Sequence, residues 1–382
     1  MRRRLFEPEH QDFRNTVRGF VEQSLTPRHP EWEQARMVSR DAWTEAGALG
    51  LLSMDVPEEY GGSGVTDFRY NAIVTEELAE AGLSGVGFPL HTDIVVPYLI
   101  KHGGDELKRR WLPKAVTGEG ITAIAMSEPA AGSDLQGIEA SAVWSGDHYL
   151  LNGQKTFISN GLQADLVVVV ARTNPAAGHK GISLLAVERG MPGFERGRNL
   201  EKIGQHAQDT AELFFRDVRV PRSHLLGEEG SGFRYLMEAL PVERLTIAVG
   251  AVAQADAALR ATVAYCRERR AFGRALAEFQ HVRFELAEMR TEIDIGRAFV
   301  DRAIEELNQG GLDTKTASEA KWWTTDMCSR VTDRCLQLFG GYGYMVEYPI
   351  ARHFVDSRVA RIYGGSNEIM KEIIGRAVVA GD

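Results

Sequence analysis

The sequence predicts an α+β protein whose helices and strands are segregated along the chain. Three observations carry this expectation. Residues 1–118 repeat apolar residues at helical spacing, 119–228 break into short strand-like runs, and 229–382 return to long helical segments. A doubly wound sheet would alternate strands and helices throughout, so that architecture is excluded. The expected domains are therefore an N-terminal helical domain (1–118), a central β domain (119–228) and a C-terminal helical domain (229–382).

In NAIVTEELAEAG (71–82), Ile73, Val74, Leu78 and Ala81 recur at helical spacing with Glu76, Glu77 and Glu80 between them. GGDELKRRWLPK (103–114) reads as a short helix with its turn signals. YLLNGQKTFISNG (149–161) sets Asn152-Gly153 between two strand-like runs, which predicts a hairpin turn there because both residues tolerate positive φ. Further strands are expected at 165–172, 181–188 and 211–221, with turns at Pro192, Gly193 and Gly227. Long helices are expected through 242–270, beginning near 240, and through 314–338. In the second, Ala317, Ala320, Met327, Val331 and Leu338 form one apolar stripe. Glycine-rich breaks follow at 339–344 and 363–367.

The chain has 382 residues, 44% hydrophobic and 25% charged, an ordinary balance for a globular protein. Its net charge of -9 argues against a nucleic-acid partner. Cys266, Cys328 and Cys335 form no C-x-x-C pair and read as reduced core thiols. MRRRLFEPEH has no apolar stretch behind its charges, and no run approaches 18 apolar residues, so neither a secretory signal nor membrane insertion is expected. A cytoplasmic location follows as the expectation. No H-E-x-x-H or G-x-S-x-G occurs, no metal site is expected, and GEEGSG (227–232) has the wrong glycine order for a nicotinamide site.

Four segments could carry chemistry, and each has an ordinary structural reading beside it. AMSEPAAGSD (125–134) offers small residues and hydroxyls that let a backbone cradle a ligand, or it is a tight turn. RERRAFG (267–273) offers guanidinium groups for a pyrophosphate, or cations at a helix C-terminus. IYGGSNEIMKEI (362–373) offers a helix N-terminus to an anion or a thioester oxygen, or a simple N-cap. In LPVERL (240–245), Glu243 stands at the edge of an apolar stretch, where burial would make it more basic; otherwise it is a first-turn carboxylate favoured by the helix dipole.

Taken together and in this order, MSEPAAGSD, NGQKTFISNG, RERRAFG with Gln280, QLFGGYGYMVEYPI (337–350) and IYGGSNEIMKEII resemble the acyl-CoA dehydrogenase family over about residues 10–379. The resemblance implies an N-terminal helical domain, a central β-barrel-like domain and a C-terminal four-helix bundle. It also implies a homo-oligomer, a dimer of dimers, with FAD between the β domain and the bundle. Met126, Ser127 and Ser133 would face the flavin or the CoA portion of the substrate, and Phe157, Ile158 and Ser159 would cover the isoalloxazine. Many relatives carry Trp where this chain has Phe157. Arg269, Phe272, Gln280, Gln337, Gly340 and Gly341 would reach the FAD of a neighbouring subunit. Ser366, Asn367 and Glu368 would hold its adenosine side.

One departure bears on mechanism. Many members carry the catalytic glutamate at the position of Gly364, which cannot take a proton. The isovaleryl and long-chain branches place it within L-x-x-E-R-L, which here puts it at Glu243. The implied reaction is α,β-dehydrogenation of an acyl-CoA to trans-2-enoyl-CoA, as in fatty-acid β-oxidation. Glu243 would be the base, Val242, Arg244, Gly364, Gly365 and Ser133 would lie about the substrate, and an electron-transfer flavoprotein would be the redox partner. The alternatives are an acyl-CoA oxidase, an enzyme acting on carrier-protein-bound acyl groups, or a non-catalytic flavin-scaffold binding protein.

Overall fold

The computed structural model describes residues 3–381; Met1, Arg2 and Asp382, at the outer ends of the expected first and third domains, lie outside the described residues. The first segment is helical: α1 (Pro8–Phe20), α2 (His29–Ala35), α3 (Arg40–Ala48), α4 (Phe68–Glu80), α5 (Val96–His102) and α6 (Asp105–Thr117). α4 covers 71–80 of the predicted 71–82 helix, which ends at the cap residue Ala81. Asp67 caps it by accepting from the Arg69 N–H at 3.0 Å, one of the donors a helix start leaves unpaired. A π-helical turn, Leu90–Val95, leads into α5.

The strands follow: β1 (Thr122–Ala125), β2 (Ser141–Ser145), β3 (His148–Ser159), β4 (Leu166–Arg172), β5 (Ile182–Glu188), β6 (Phe194–Asn199), β7 (Thr210–Pro221) and β8 (Leu225–Leu226). They form one sheet in the order β6-β7-β3-β2-β4-β5-β8, with β1 parallel to β4. The expected barrel is open. β2 joins β4 only at Ser141↔Arg172, so two halves hinge there around a shared core. β4 is buried on both faces: Val167, Val169 and Ala171 point into that core, while Leu166, Val168 and Val170 pack toward the helices. Its unbroken apolar run has that cause.

The predicted hairpin at Asn152-Gly153 is a correction. β3 runs through it, and the turn from β2 to β3 is Gly146-Asp147. Asn152-Gly153 instead makes a bulge against β7. Gly153 has φ 140°, and a Cβ there would sit 2.7 Å from that of Ala140, so only glycine fits. Asn152 pairs reciprocally with Asp217, its amide donating to Oδ1 at 3.0 Å and its Oδ1 accepting from the Asp217 N–H at 2.9 Å.

The last segment holds α7 (Gly232–Glu268), a short ribbon of β9 (Arg270–Ala271) and β10 (Arg274–Ala275), α8 (Gln280–Asn308), α9 (Thr314–Phe339), α10 (Pro349–Ser357) and α11 (Asn367–Ala380). The predicted stripe on α9 is apolar and inward: Ala317, Ala320, Met327 and Val331 are buried, and Leu338 packs against the same core. The start of α7 is a second correction. It begins at Gly232, not near 240, and Pro241 lies inside it. An internal proline costs a helix about 3 kcal/mol. Burial of Tyr235 and Leu236 against the β segment favours continuing the helix through it. Glu243 is therefore about three turns into α7 rather than in its first turn.

α7 ties the molecule together. Its N-terminal part joins the apolar cluster of α5, α6 and the sheet, and from Val242 and Leu245 onward it belongs to the bundle core with α8, α9 and part of α4.

Candidate active site

Glu243 occupies the seam between those two clusters, 4% exposed. Its hydrogen-bond partner is a tyrosine rather than a cation: Tyr98 on α5 donates to Glu243 Oε1 at 3.0 Å. Burial raises its pKa to about 7, against smaller opposing effects of the Tyr98 hydroxyl and the Arg244 charge. Arg244 is also buried. Its Nη1 donates to Ser318 Oγ on α9 at 3.1 Å, and its Nε has no partner among the described residues. Burial lowers the Arg244 pKa, with Glu243 pulling it back.

The 363–367 break lies against this helix. Gly364 has φ 64°, and a Cβ there would collide with Ile247 Cδ1, one turn beyond Glu243 on α7. The position favours glycine for its left-handed backbone, while the Ile247 methyl, at the end of a flexible side chain, could turn aside. Gly364→Ala is expected to lose about 1–2 kcal/mol of stability from the backbone alone, read as a fall in Tm. Gly365 is held by Lys321 on α9, whose Nζ donates to the Gly365 carbonyl at 2.7 Å and to Asn367 Oδ1 at 2.9 Å. Burial, then the nearby Arg244 charge, brings the Lys321 pKa down to about 8. Ser366 caps α11 by accepting from the Ile369 N–H at 3.4 Å. Asn367 is 1% exposed, and its amide donates to Asp326 Oδ1 at 2.9 Å and Thr325 Oγ1 at 3.0 Å. The Asn367 side chain thus fastens the loop to α9. Glu368 is exposed.

The 126–134 loop is fixed to β3. Lys155, 1% exposed, donates to the Met126 carbonyl at 2.9 Å and to Glu128 Oε1 at 2.7 Å. The Thr156 N–H donates to the Ser127 carbonyl at 3.0 Å. Just beyond, the β3–β7 register shifts between Lys155 and Ile158, and Phe157 stands out at φ 60° with 70% of its surface exposed. A non-glycine residue with that backbone is uncommon, and such strain concentrates at functional sites. Ile158 is buried, Ser159 is partly buried, and Ser133 is exposed at the rim of the loop. Met126 packs into the cluster that contains Tyr98, which joins this loop to the surroundings of Glu243.

The remaining candidates lie elsewhere. Arg269 follows Glu243 by 26 positions along one helix, about 39 Å at 1.5 Å per residue. Arg269 rests over the Tyr342 ring at 5.2 Å, Phe272 is 96% exposed at φ 52°, and Gln280, Gln337, Gly340 and Gly341 are exposed around them. One chain therefore does not bring this group to Glu243. Sequence reasoning missed Tyr98, Lys155, Ser318 and Lys321; only Lys155 lay inside a motif already singled out.

Models of the N-terminal, middle and C-terminal domains of acyl-CoA dehydrogenases match residues 7–119, 123–218 and 230–379. Fold and matches together define an oxidoreductase of the acyl-CoA dehydrogenase class. The chain is 50% identical over 379 residues to the long-chain specific acyl-CoA dehydrogenase (mitochondrial) of Sus scrofa, covering 99% of this chain and 88% of that protein. It is 35% identical over 375 residues to the isovaleryl-CoA dehydrogenase (mitochondrial) of Oryza sativa subsp. japonica, covering 97% and 91%. The crystal structure of an acyl-CoA dehydrogenase from Geobacillus kaustophilus superposes with a TM-score of 0.96 at 52% identity, covering 98% and 99% of the two chains. The chain belongs to the acyl-CoA dehydrogenase family. Among the described residues no helix is long and apolar enough to cross a membrane.

Proposed function

We propose that this enzyme converts an acyl-CoA to the trans-2-enoyl-CoA, with Glu243 removing the α-proton. The observation that carries the reading is a carboxylate enclosed between two apolar clusters, with a pKa raised to about 7 where a proton acceptor works at neutral pH. The family cofactor is FAD, and the residues present fit it. The Phe157 ring is held outward on a strained bulge beside the fixed Met126–Ser127 backbone, and Gly340 and Gly341 have open space where side chains would be. When bound, FAD supplies the hydride acceptor.

The chain's own residues do the rest. Glu243 takes the proton from the α-carbon. The Gly364 N–H is the proposed donor to the thioester oxygen, and fixed donors of this kind stabilise developing negative charge. Arg244, anchored to Ser318, sets a positive charge beside Glu243 and draws part of its proton affinity down. Val242 and Gly365 border the same place, and Ser133 lies at the loop rim. The separation between Glu243 and Arg269, about 39 Å along one helix, supports a site completed by a second subunit. Arg269, Phe272, Gln280, Gln337, Gly340 and Gly341 would there meet the neighbour's flavin, with Ser366, Asn367 and Glu368 toward the adenosine side. An electron-transfer flavoprotein as acceptor and a cytoplasmic location complete the proposal.

The test is a panel of acyl-CoA chain lengths assayed with an artificial electron acceptor and, separately, with oxygen alone. Acyl-CoA should bleach the bound flavin, and sustained turnover should need the acceptor. Equal turnover on oxygen would make the protein an oxidase, and no bleaching with any acyl-CoA would overturn the reading.

A further inference from the structure

Tyr98 reaches Glu243 from a segment whose shape is set by the π-helical turn Leu90–Val95. Two contacts cross from this segment to α7. Asp93 Oδ2 accepts from Thr246 Oγ1 at 3.1 Å, and Tyr98 donates to Glu243 Oε1 at 3.0 Å. The partners are five apart on one segment and three apart on the other. Asp93 lies in the π-turn and Tyr98 in the first turn of α5 that follows it, so the wider i→i+5 turn sets the phase at which α5 presents Tyr98. The segment is pinned from behind by His91, fully buried. Its Nε2 donates to the Ala115 carbonyl at 3.0 Å, and its Nδ1 accepts from the Thr122 N–H at 3.2 Å. Those two bonds require the neutral ring with its proton on Nε2. α6 on one side and β1 on the other thereby hold Tyr98 in place.

We propose that Tyr98 is a positioning residue for the reaction: its hydroxyl fixes one oxygen of Glu243 and turns the other toward the substrate. The inference rests on Glu243 being the base. A carboxylate on a flexible side chain has many rotamers, and a buried donor to one oxygen selects among them before substrate arrives. The same bond stabilises the charged form, so Tyr98 keeps Glu243 ionised at a pH where burial alone would protonate it more fully. The other groups around it act differently. Arg244 from its own helix also favours the charge, Lys321 on α9 lies by Arg244, and Asp93, its own acid pushed up to about 7 by burial, is held by Thr246 and Asn71.

The experiment is Tyr98→Phe in the flavin-loaded enzyme, with kcat/KM measured across pH. The ring and its packing are kept, and only the donor is lost. The acid limb, reporting ionisation of the base, should move up by about one pH unit, because a donor that lowered the pKa is gone. kcat/KM at pH 7 should fall about tenfold, carried by kcat, with partial recovery as pH rises above the shifted limb. An unmoved limb overturns the proposal, whether turnover is unchanged or falls together with Tm. Glu243→Gln separates the two levels of the argument. If that variant stays active, the base assignment itself fails; if it is inactive and Tyr98→Phe leaves the limb in place, only the role of Tyr98 fails.

Discussion

Glu243→Gln is expected to keep its fold and its flavin and to lose turnover by about 10²- to 10⁴-fold, the usual worth of a positioned base. Glutamine is nearly isosteric, and its carbonyl can still accept from Tyr98, so the loss isolates the proton transfer. Turnover within about tenfold of the parent would mean that the base lies elsewhere. The same variant should be more stable than the parent at high pH. Glu243 has its pKa raised from 4.5 to about 7 in the folded protein. A raised folded-state pKa contributes stability that is fully present below 4.5 and is lost as pH rises through about 7. By pH 8 that loss amounts to about 3 kcal/mol, and the uncharged glutamine of the variant does not suffer it. Thermal unfolding at pH 5 and pH 8 should show the two proteins diverging across that window, with the variant ahead at pH 8. Parallel curves would show that Glu243 is not the buried acid of raised pKa described above.

Lys155→Met is expected to cost about 3–5 kcal/mol, the usual consequence of removing one partner of a buried ion pair. Glu128 would be left with only the Glu139 and Ala140 N–H groups, at 2.7 and 3.1 Å. The Met126 carbonyl would lose its anchor as well. The 126–134 loop should loosen and the protein should purify with less flavin per subunit, read from flavin absorbance. Adding Glu128→Gln to Lys155→Met should recover part of the stability, because no unpaired charge then remains buried. If the double variant is less stable than the single one, the pair does not account for the loop's fixation.

The three-part order of helix, strand and helix was legible because it is written in periodicity, and periodicity is local. β4 is the clearest case, since a run of valines buried on both faces resembles little else. Asn152-Gly153 misled because a bulge and a two-residue turn ask for the same backbone freedom; only the pairing partner, Ala140 or Phe215 across the sheet, distinguishes them. Pro241 misled because its burial gain comes from the β segment, which no helical window contains. Glu243 was singled out as a candidate base through the family motif, and its burial is what the sequence alone could not show. Tyr98 was not: it is one tyrosine in an apolar run, 145 positions from the carboxylate it holds. Lys321, 44 positions from the carbonyl it grips, was hidden for the same reason.

A carboxylate mounted at position 364 would travel with the loop that bears it. Here Glu243, the proposed proton acceptor, rides on a 37-residue helix gripped by the sheet on one side and the bundle on the other. The left-handed glycine at 364 lies against Ile247 on that helix but belongs to a separate loop, fastened to α9. On the proposed mechanism the donor to the thioester oxygen and the acceptor of the α-proton thus sit on separate elements. A substitution in the loop is therefore expected to leave the proposed base on its own mount.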